Sequence, residues 1–537
     1  MEGRNSGTSL WAAGSARRPR FFALGFLLAL AATTDAAAYT VPPTYLLART
    51  EYGVVLGVED SGVRIFRGIP FAAPPVGPLR WKEPQPPASW SHVRITSHFE
   101  SRCMQRPIFQ DMRFRSDAIR EDCLYLNVWT PVEVPKAGLP VLVYFYGGGF
   151  VAGDGSELRY DGESMARQGI VSITVNYRLG AFGFLAHPAL AAESARHASG
   201  NYGLLDQVAA LRWVRENVAA FGGDPRRITI AGESAGSFSV SALMASPLSR
   251  DLIAGAIGES GSLLGGRVVA RSVGEEDGVK FQALLQVQGL AQLRALPAEK
   301  ILEASAGHEW ELFHPVVDGY FFPKEPGEIY RAGEQAHVPL LVGWNTEESD
   351  YHGILGDQAP TRENLAAVIR KESGARADEA LALYRVDSDE QVKQVAGELA
   401  TDVFMGLGTW KWADLHAQTG GSAVYRYLYA RPRPGAPGGN DPPARGAVHS
   451  SEIEYALGNL PLNRDHAWTP DDYLVSKTLQ AYFANFIRTG QPGGDGLPAW
   501  PKVQPGEPAM VMRIDVQSEA HPEAHRDRYL FLDSLHH

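Results

Sequence analysis

Unbroken apolar runs alternate along this chain with segments whose apolar positions recur at helical spacing. Pro140–Tyr146, Ile170–Asn176, Arg227–Gly232, Ala256–Glu259, Pro339–Val342 and Ala423–Tyr429 read as buried strands, and Tyr202–Phe221 and Asp471–Arg488 as helices. Strands that are apolar on both sides must be covered on both faces, and strands separated by helices run parallel. The pattern therefore predicts an α/β fold, a mostly parallel central sheet flanked by helices. Tyr52–Phe66 instead alternates and carries Gly62, which reads as an antiparallel edge hairpin. Residues 361–418 are helical in pattern and predict a cap or side lobe, while Arg431–Arg445, rich in proline and glycine, reads as an irregular loop. No repeat and no linker interrupts this succession, so one domain is expected from about residue 45 to residue 537.

Composition narrows the function. The 537 residues are 45% hydrophobic and carry a formal net charge of −11, with no basic block of the kind that binds nucleic acid in the body of the chain. Residues 1–38 have the layout of a signal peptide: Arg17, Arg18 and Arg20, then the apolar run Phe21–Ala32, then Ala36-Ala37-Ala38. That run is too short for a membrane span, so export with cleavage near Ala38, to the periplasm or outside the cell, is expected, without stable membrane insertion afterwards. An uncleaved anchor is the alternative. The two cysteines, Cys103 and Cys123, both follow the leader, and an even count in an exported chain predicts one disulfide closing a short loop. Zinc-type spacing of Cys and His is missing, and so is any Asn-x-Ser/Thr acceptor.

Gly232-Glu233-Ser234-Ala235-Gly236 stands between a predicted strand and the helix-like Ser237–Ala245. A sharp strand-to-helix turn of this type lifts a serine hydroxyl to its tip, and the flanking glycines let the backbone pass. The amide of Ala235, at the start of a helix, points where an oxyanion would form. A serine nucleophile needs a base, and the base needs an orienting carboxylate; on such folds both come later in the chain. His416 falls inside a helix, His466 in a charged loop, and four histidines in the polar tail, whereas His449 follows soon after a predicted strand and is the preferred base. Trp344-Asn-Thr-Glu-Glu-Ser, at the end of the strand beginning at Pro339, offers Glu347 and Glu348 equally as the acid. Tyr146-Gly147-Gly148-Gly149-Phe150, directly after another strand, can turn amides toward a substrate carbonyl. A phosphate cradle would want Lys-Ser/Thr after the glycines, and Phe150-Val151 stands there instead.

Together these motifs resemble the type-B carboxylesterase/lipase family of α/β-hydrolases, which includes the cholinesterases. Phe66-Arg-Gly-Ile-Pro-Phe-Ala-Ala-Pro-Pro-Val-Gly-Pro-Leu-Arg-Trp81 is similar to the family's first signature, and Glu121-Asp-Cys-Leu-Tyr-Leu-Asn-Val-Trp129 to its second. Gly200-Asn-Tyr-Gly-Leu-Leu-Asp206 and Phe221-Gly-Gly-Asp-Pro225 follow in family order, and the likeness runs from about residue 45 to 510. It implies Ser234 as nucleophile, His449 as base and Glu348 rather than Glu347 as acid. It further implies Gly148, Gly149 and Ala235 as oxyanion donors, and Ser260, Glu233 and Glu452 as supporting residues around the histidine. Cys103–Cys123 would match the family's first disulfide, and Arg80–Glu121 its structural salt bridge.

The loop between Cys103 and Cys123 contains no tryptophan, whereas cholinesterases stack the choline cation on one there, so choline esters are not the expected substrates. Tyr351 and Glu233 would lie near other parts of that site. The stretch Trp310–His314 lacks the paired phenylalanines of acetylcholinesterase. Few cysteines and no glycosylation acceptor suggest a bacterial exported enzyme. The resemblance implies hydrolysis of small to medium soluble esters through an acyl-enzyme, with no metal or cofactor. A lipase acting on longer chains and a non-catalytic binding protein on the same fold are the alternatives.

Overall fold

The computed structural model describes residues 46–535 except 267, 440–443 and 506–507. The predicted leader lies outside the described residues. Eleven strands form the central sheet. In chain order they are β1 (Val58–Asp60), β2 (Val63–Pro70), β3 (Tyr125–Pro131), β4 (Leu139–Phe145), β5 (Val171–Val175), β6 (Gly223–Glu233), β7 (Gly255–Glu259), β8 (Leu340–Asn345), β9 (Val424–Tyr429), β10 (Met510–Ile514) and β11 (Glu519–Pro522). Their spatial order is β11-β10-β9-β8-β7-β6-β4-β5-β3-β2-β1. The stretch from β10 to β5 is parallel throughout, and antiparallel pairs close both edges. Every residue of β4, β5, β7 and β8 is buried, as continuous apolar runs require of strands covered on both faces.

The first hairpin turns at Ser61-Gly62, both with positive φ, which suits a two-residue turn between twisted strands. Helix α1 (Tyr202–Asn217) continues as a tighter turn to Phe221, and α2 (Ala235–Ala245) is buried along its whole length. The predicted late helix is α5 (Pro470–Thr489): a capping box between Thr469 and Asp472 starts it, and Gly490 in the left-handed region ends it. The helical lobe predicted from 361–418 includes α3 (Val392–Thr401) and α4 (Leu407–Thr419). It gathers its own apolar cluster, Leu365, Ile369, Leu399 and Trp410 among it, with Tyr529 and Phe531 of the final helix α6 (Arg526–Ser534). Among the described residues no helix is long and apolar enough to cross a membrane.

What positions the site is the shared polarity of β4, β6, β7, β8 and β9. Gly232 pairs with Phe145, Glu233 with Glu259, Glu259 with Gly343, and Asn345 with Tyr429, so these strands deliver their C-terminal loops to one edge.

Candidate active site

Strand β6 passes into helix α2 through a single residue, Ser234, at φ 56° and ψ −121°. A non-glycine residue at that φ is strained, and the strain presents the hydroxyl at the apex. The flanking glycines are steric requirements. A Cβ on Gly236 would stand 2.0 Å from the Phe145 carbonyl oxygen, and one on Gly232 2.5 Å from the Gly236 carbonyl carbon.

His449 Nε2 lies 3.0 Å from Ser234 Oγ, and His449 Nδ1 lies 2.6 Å from Glu348 Oε2. The other oxygen of Glu348 accepts from the Asn345 amide at 2.6 Å and lies 2.5 Å from Ser260 Oγ, so the carboxylate is fixed on both sides. Glu452 joins the same patch: its Oε2 accepts from Asn345 Nδ2 at 2.6 Å, and its Oε1 lies 3.2 Å from Ser260 Oγ. The loops carrying acid and histidine are clamped together, with Glu347 N–H donating to Ala447 O and Ala447 N–H to Thr346 Oγ1. Glu347 itself points away and pairs with Arg445 at 2.5 Å. His416 is buried and bonds the Val338 carbonyl, and His466 bonds that of Pro434; neither approaches Ser234.

The glycine run follows β4 and bends over the serine. Gly148 and Gly149 have φ of 103° and 63°, and a Cβ on Gly148 would lie 2.3 Å from the Ala152 carbonyl oxygen. Their amides, like that of Ala235 at the start of α2, have no acceptor among the described residues. Gly148 and Gly149 line the same pocket as Ser234, and Ala235 follows it in the chain, so these N–H groups are available to an oxyanion there. Further out, Cys103 and Cys123 form a disulfide, and Arg80 Nε and Nη2 grip Glu121 at 2.5 Å each. Tyr351 does not line this pocket; its ring lies tilted against His352, and the Lys393 ammonium sits over it.

The model of the Carboxylesterase family matches residues 45–531 of the chain. The chain is also 34% identical over 494 residues to the fumonisin B1 esterase of Sphingopyxis macrogoltabida, covering 90% of this chain and 89% of that protein. To the para-nitrobenzyl esterase of Bacillus subtilis (strain 168) it is 33% identical over 509 residues, covering 91% and 99%. Among solved structures, a carboxylesterase of Geobacillus stearothermophilus superposes with a TM-score of 0.78 at 31% identity, covering 91% of this chain and 99% of that one. This chain belongs to the carboxylesterase family. It is a serine carboxylic-ester hydrolase with the α/β-hydrolase fold.

The pocket of this carboxylesterase that contains Ser234 and His449 has a volume of about 370 Å³. Its lining includes residues the sequence reading did not single out: Phe109 and Met112 on the disulfide loop, Arg159, Phe238, Phe404 and Met405. Trp310 also reaches it, its Nε1 2.9 Å from where a Gly149 Cβ would stand. Phe404 sits on a π-helical turn, Asp402–Gly406, that brings its ring within 5.3 Å of the His449 ring. No local pattern marks these positions, because loops distant in sequence bring them together.

Beneath the triad lies a buried acidic patch of Glu233, Glu259, Glu348 and Glu452. Burial, reinforced by the Glu452 charge, pushes Glu233 up to about 8; burial does the same to Glu452, up to about 7, with Glu348 adding to it. Glu259 is raised too, by burial and by its acidic neighbours. Carboxyls this close in a dry interior cannot all ionise. Burial works against a charge on His449, but the nearby Glu233 and the hydrogen-bonded Glu348 outweigh it and raise the imidazole to about 9. Glu233 Oε1 stands 3.3 Å from His449 Nε2, so the charge of each acts directly on the other.

Proposed function

We propose that this carboxylesterase cleaves small to medium soluble esters through an acyl-enzyme on Ser234. The observation that carries the reading is the continuous chain from Ser234 Oγ through His449 to Glu348, with links of 3.0 and 2.6 Å. In this mechanism His449 takes the hydroxyl proton as Ser234 attacks the ester carbonyl, and Glu348 holds the ring in the tautomer that leaves Nε2 free. The amides of Gly148, Gly149 and Ala235 receive the oxyanion; in comparable sites one such donor contributes about 3–4 kcal/mol to lowering the barrier. His449 then protonates the departing alcohol, and water releases the acid through a second tetrahedral intermediate. The pocket volume of about 370 Å³ supports substrates of this size. Ser234→Ala is expected to abolish turnover of short-chain p-nitrophenyl esters and labelling by a fluorophosphonate probe, with an unchanged circular dichroism spectrum. Turnover at the wild-type rate would overturn the assignment, and faster cleavage of long-chain emulsions than of soluble esters would favour a lipase.

The same reading places the enzyme outside the cytoplasm, in the periplasm or the medium. Its support is the leader-like residues 1–38 together with the Cys103–Cys123 disulfide, a bond that persists in oxidising compartments. N-terminal sequencing of protein recovered from the exported fraction should begin close to residue 39. An intact leader on the recovered protein would instead mean an anchor.

A further inference from the structure

The wall of the catalytic pocket holds a cation that the ester-cleaving steps do not employ. Arg159 lines the pocket together with Ser234 and His449, and its side chain is only 5% exposed. Its backbone carbonyl is fixed by Asn459 Nδ2 at 2.9 Å. The guanidinium is held unevenly. Its Nε bonds Glu157, which is buried deeper in the protein. Its Nη1 lies 3.1 Å from Asp111 Oδ2 and 3.4 Å from Ser450 Oγ. Its Nη2 has no acceptor among the described residues.

The inner carboxylate therefore anchors the arginine, while the outer one is loosely bound. Asp111 stands on the disulfide loop with its side chain 53% exposed and reaches the buried guanidinium through a single bond of 3.1 Å, so water competes for its carboxylate. A second carboxylate arriving through the pocket could take Nη1 from Asp111 and also fill Nη2. Asp111 makes one bond to that edge, whereas an incoming carboxylate can make the bidentate fork that guanidinium favours. Apolar side chains such as Phe109, Met112 and Met405 supply much of the remaining wall and carry no N–H or O–H for a carboxylate.

We propose that Arg159 is a specificity-determining residue that recognises a carboxylate carried by the alcohol half of the ester, with Asp111 as its displaceable placeholder. The inference rests on the Ser234–His449 reading, because that reading orients the substrate. His449 must hand its proton to the leaving oxygen, so the alcohol half lies on the histidine side of the pocket. Ser450, the next residue, is the one whose hydroxyl touches Arg159.

The test compares 4-acetoxybenzoate with methyl 4-acetoxybenzoate, which share ring and acyl group and differ in one negative charge. Release of the phenol is followed, and the readout is the anionic-to-neutral ratio of kcat/KM. Arg159→Leu is expected to lower that ratio about tenfold or more, the size of a lost charge-assisted bond. Arg159→Lys, which keeps the charge for Glu157 but loses the fork, should lower it as well. Asp111→Asn should raise it about threefold, through KM, as an exposed competing charge is removed. If Arg159→Leu is not recovered folded, the other two variants decide. A ratio unmoved by the Arg159 variants, or lowered by Asp111→Asn, overturns the inference while leaving the esterase reading intact. Ester turnover in Ser234→Ala equal to that of the wild type would instead overturn the reading of the site itself.

Discussion

Glu347 and Glu348 show how much one residue's placement decides. They are adjacent, equally acidic and equally near the end of β8, and residue-level reasoning leaves them tied. In the folded protein one turns out to Arg445 and the other in to His449, Asn345 and Ser260. The chain turns after β8, held by Glu347 N–H on Ala447 O and by Asn345 N–H on the Glu348 carboxylate, and that turn sends the two side chains apart. Glu233 belongs to the same scale. Because His449 must be unprotonated to accept the serine proton, kcat/KM should rise with pH, and the raised imidazole puts that rise above the ordinary histidine value of 6.5. Glu233→Gln removes a charge that favours the imidazolium, so the midpoint should move to lower pH, by about 1 unit. A pH–rate profile of the variant checks this, and an unmoved midpoint would show that the two groups do not titrate together.

At the scale of elements, the first hairpin, β4 to β9, α1, α2 and α5 were legible because apolar runs, helical periodicity and turn glycines are local signals, whereas β3, β10 and β11 were not singled out. The strand predicted at Arg227–Gly232 runs from Gly223 to Glu233, since its polar first residues, Gly223-Asp-Pro-Arg226, join the sheet only through the pairing of Gly223 with Leu139 ahead of a register shift. The π-helical turn at Asp402–Gly406 had no such signal; nothing in the spacing of its residues distinguishes it from an ordinary helical turn. The loop closed by Cys103 and Cys123 was foreseen as a covalent link, but its contribution of Phe109, Asp111 and Met112 to the pocket was not. The two cysteines are separated by 20 positions, and closing a loop of that length stabilises by about 3 kcal/mol on the chain-entropy model. Replacing both with alanine should lower the melting temperature and raise KM as the loop loosens. Reductant should reproduce the effect in the wild type and not in the variant.

For the whole molecule, the decisive contacts tie the sheet to the helices and lobes around it. Arg178, just past β5, bonds Asp206 of α1 through Nε at 2.8 Å and Nη2 at 2.7 Å, and both side chains are almost wholly buried. Asp206→Ala would leave a buried guanidinium unpaired, at a cost of about 3–5 kcal/mol, and should lower the urea midpoint markedly or leave the protein insoluble. An unchanged midpoint would mean that water reaches Arg178. The sequence by itself determined the family, the fold class and the residue types at the serine turn, the glycine run and the histidine loop, because each is written in a short stretch whose backbone demands are local. Only the tertiary structure decided how the acidic patch shifts the proton affinities of Glu233 and His449, and that Arg159 and Asp111 line the pocket of Ser234. Those outcomes depend on distances between loops that β3, β4, β8 and β9 carry to one region, and the dielectric between them exists only once the core has closed.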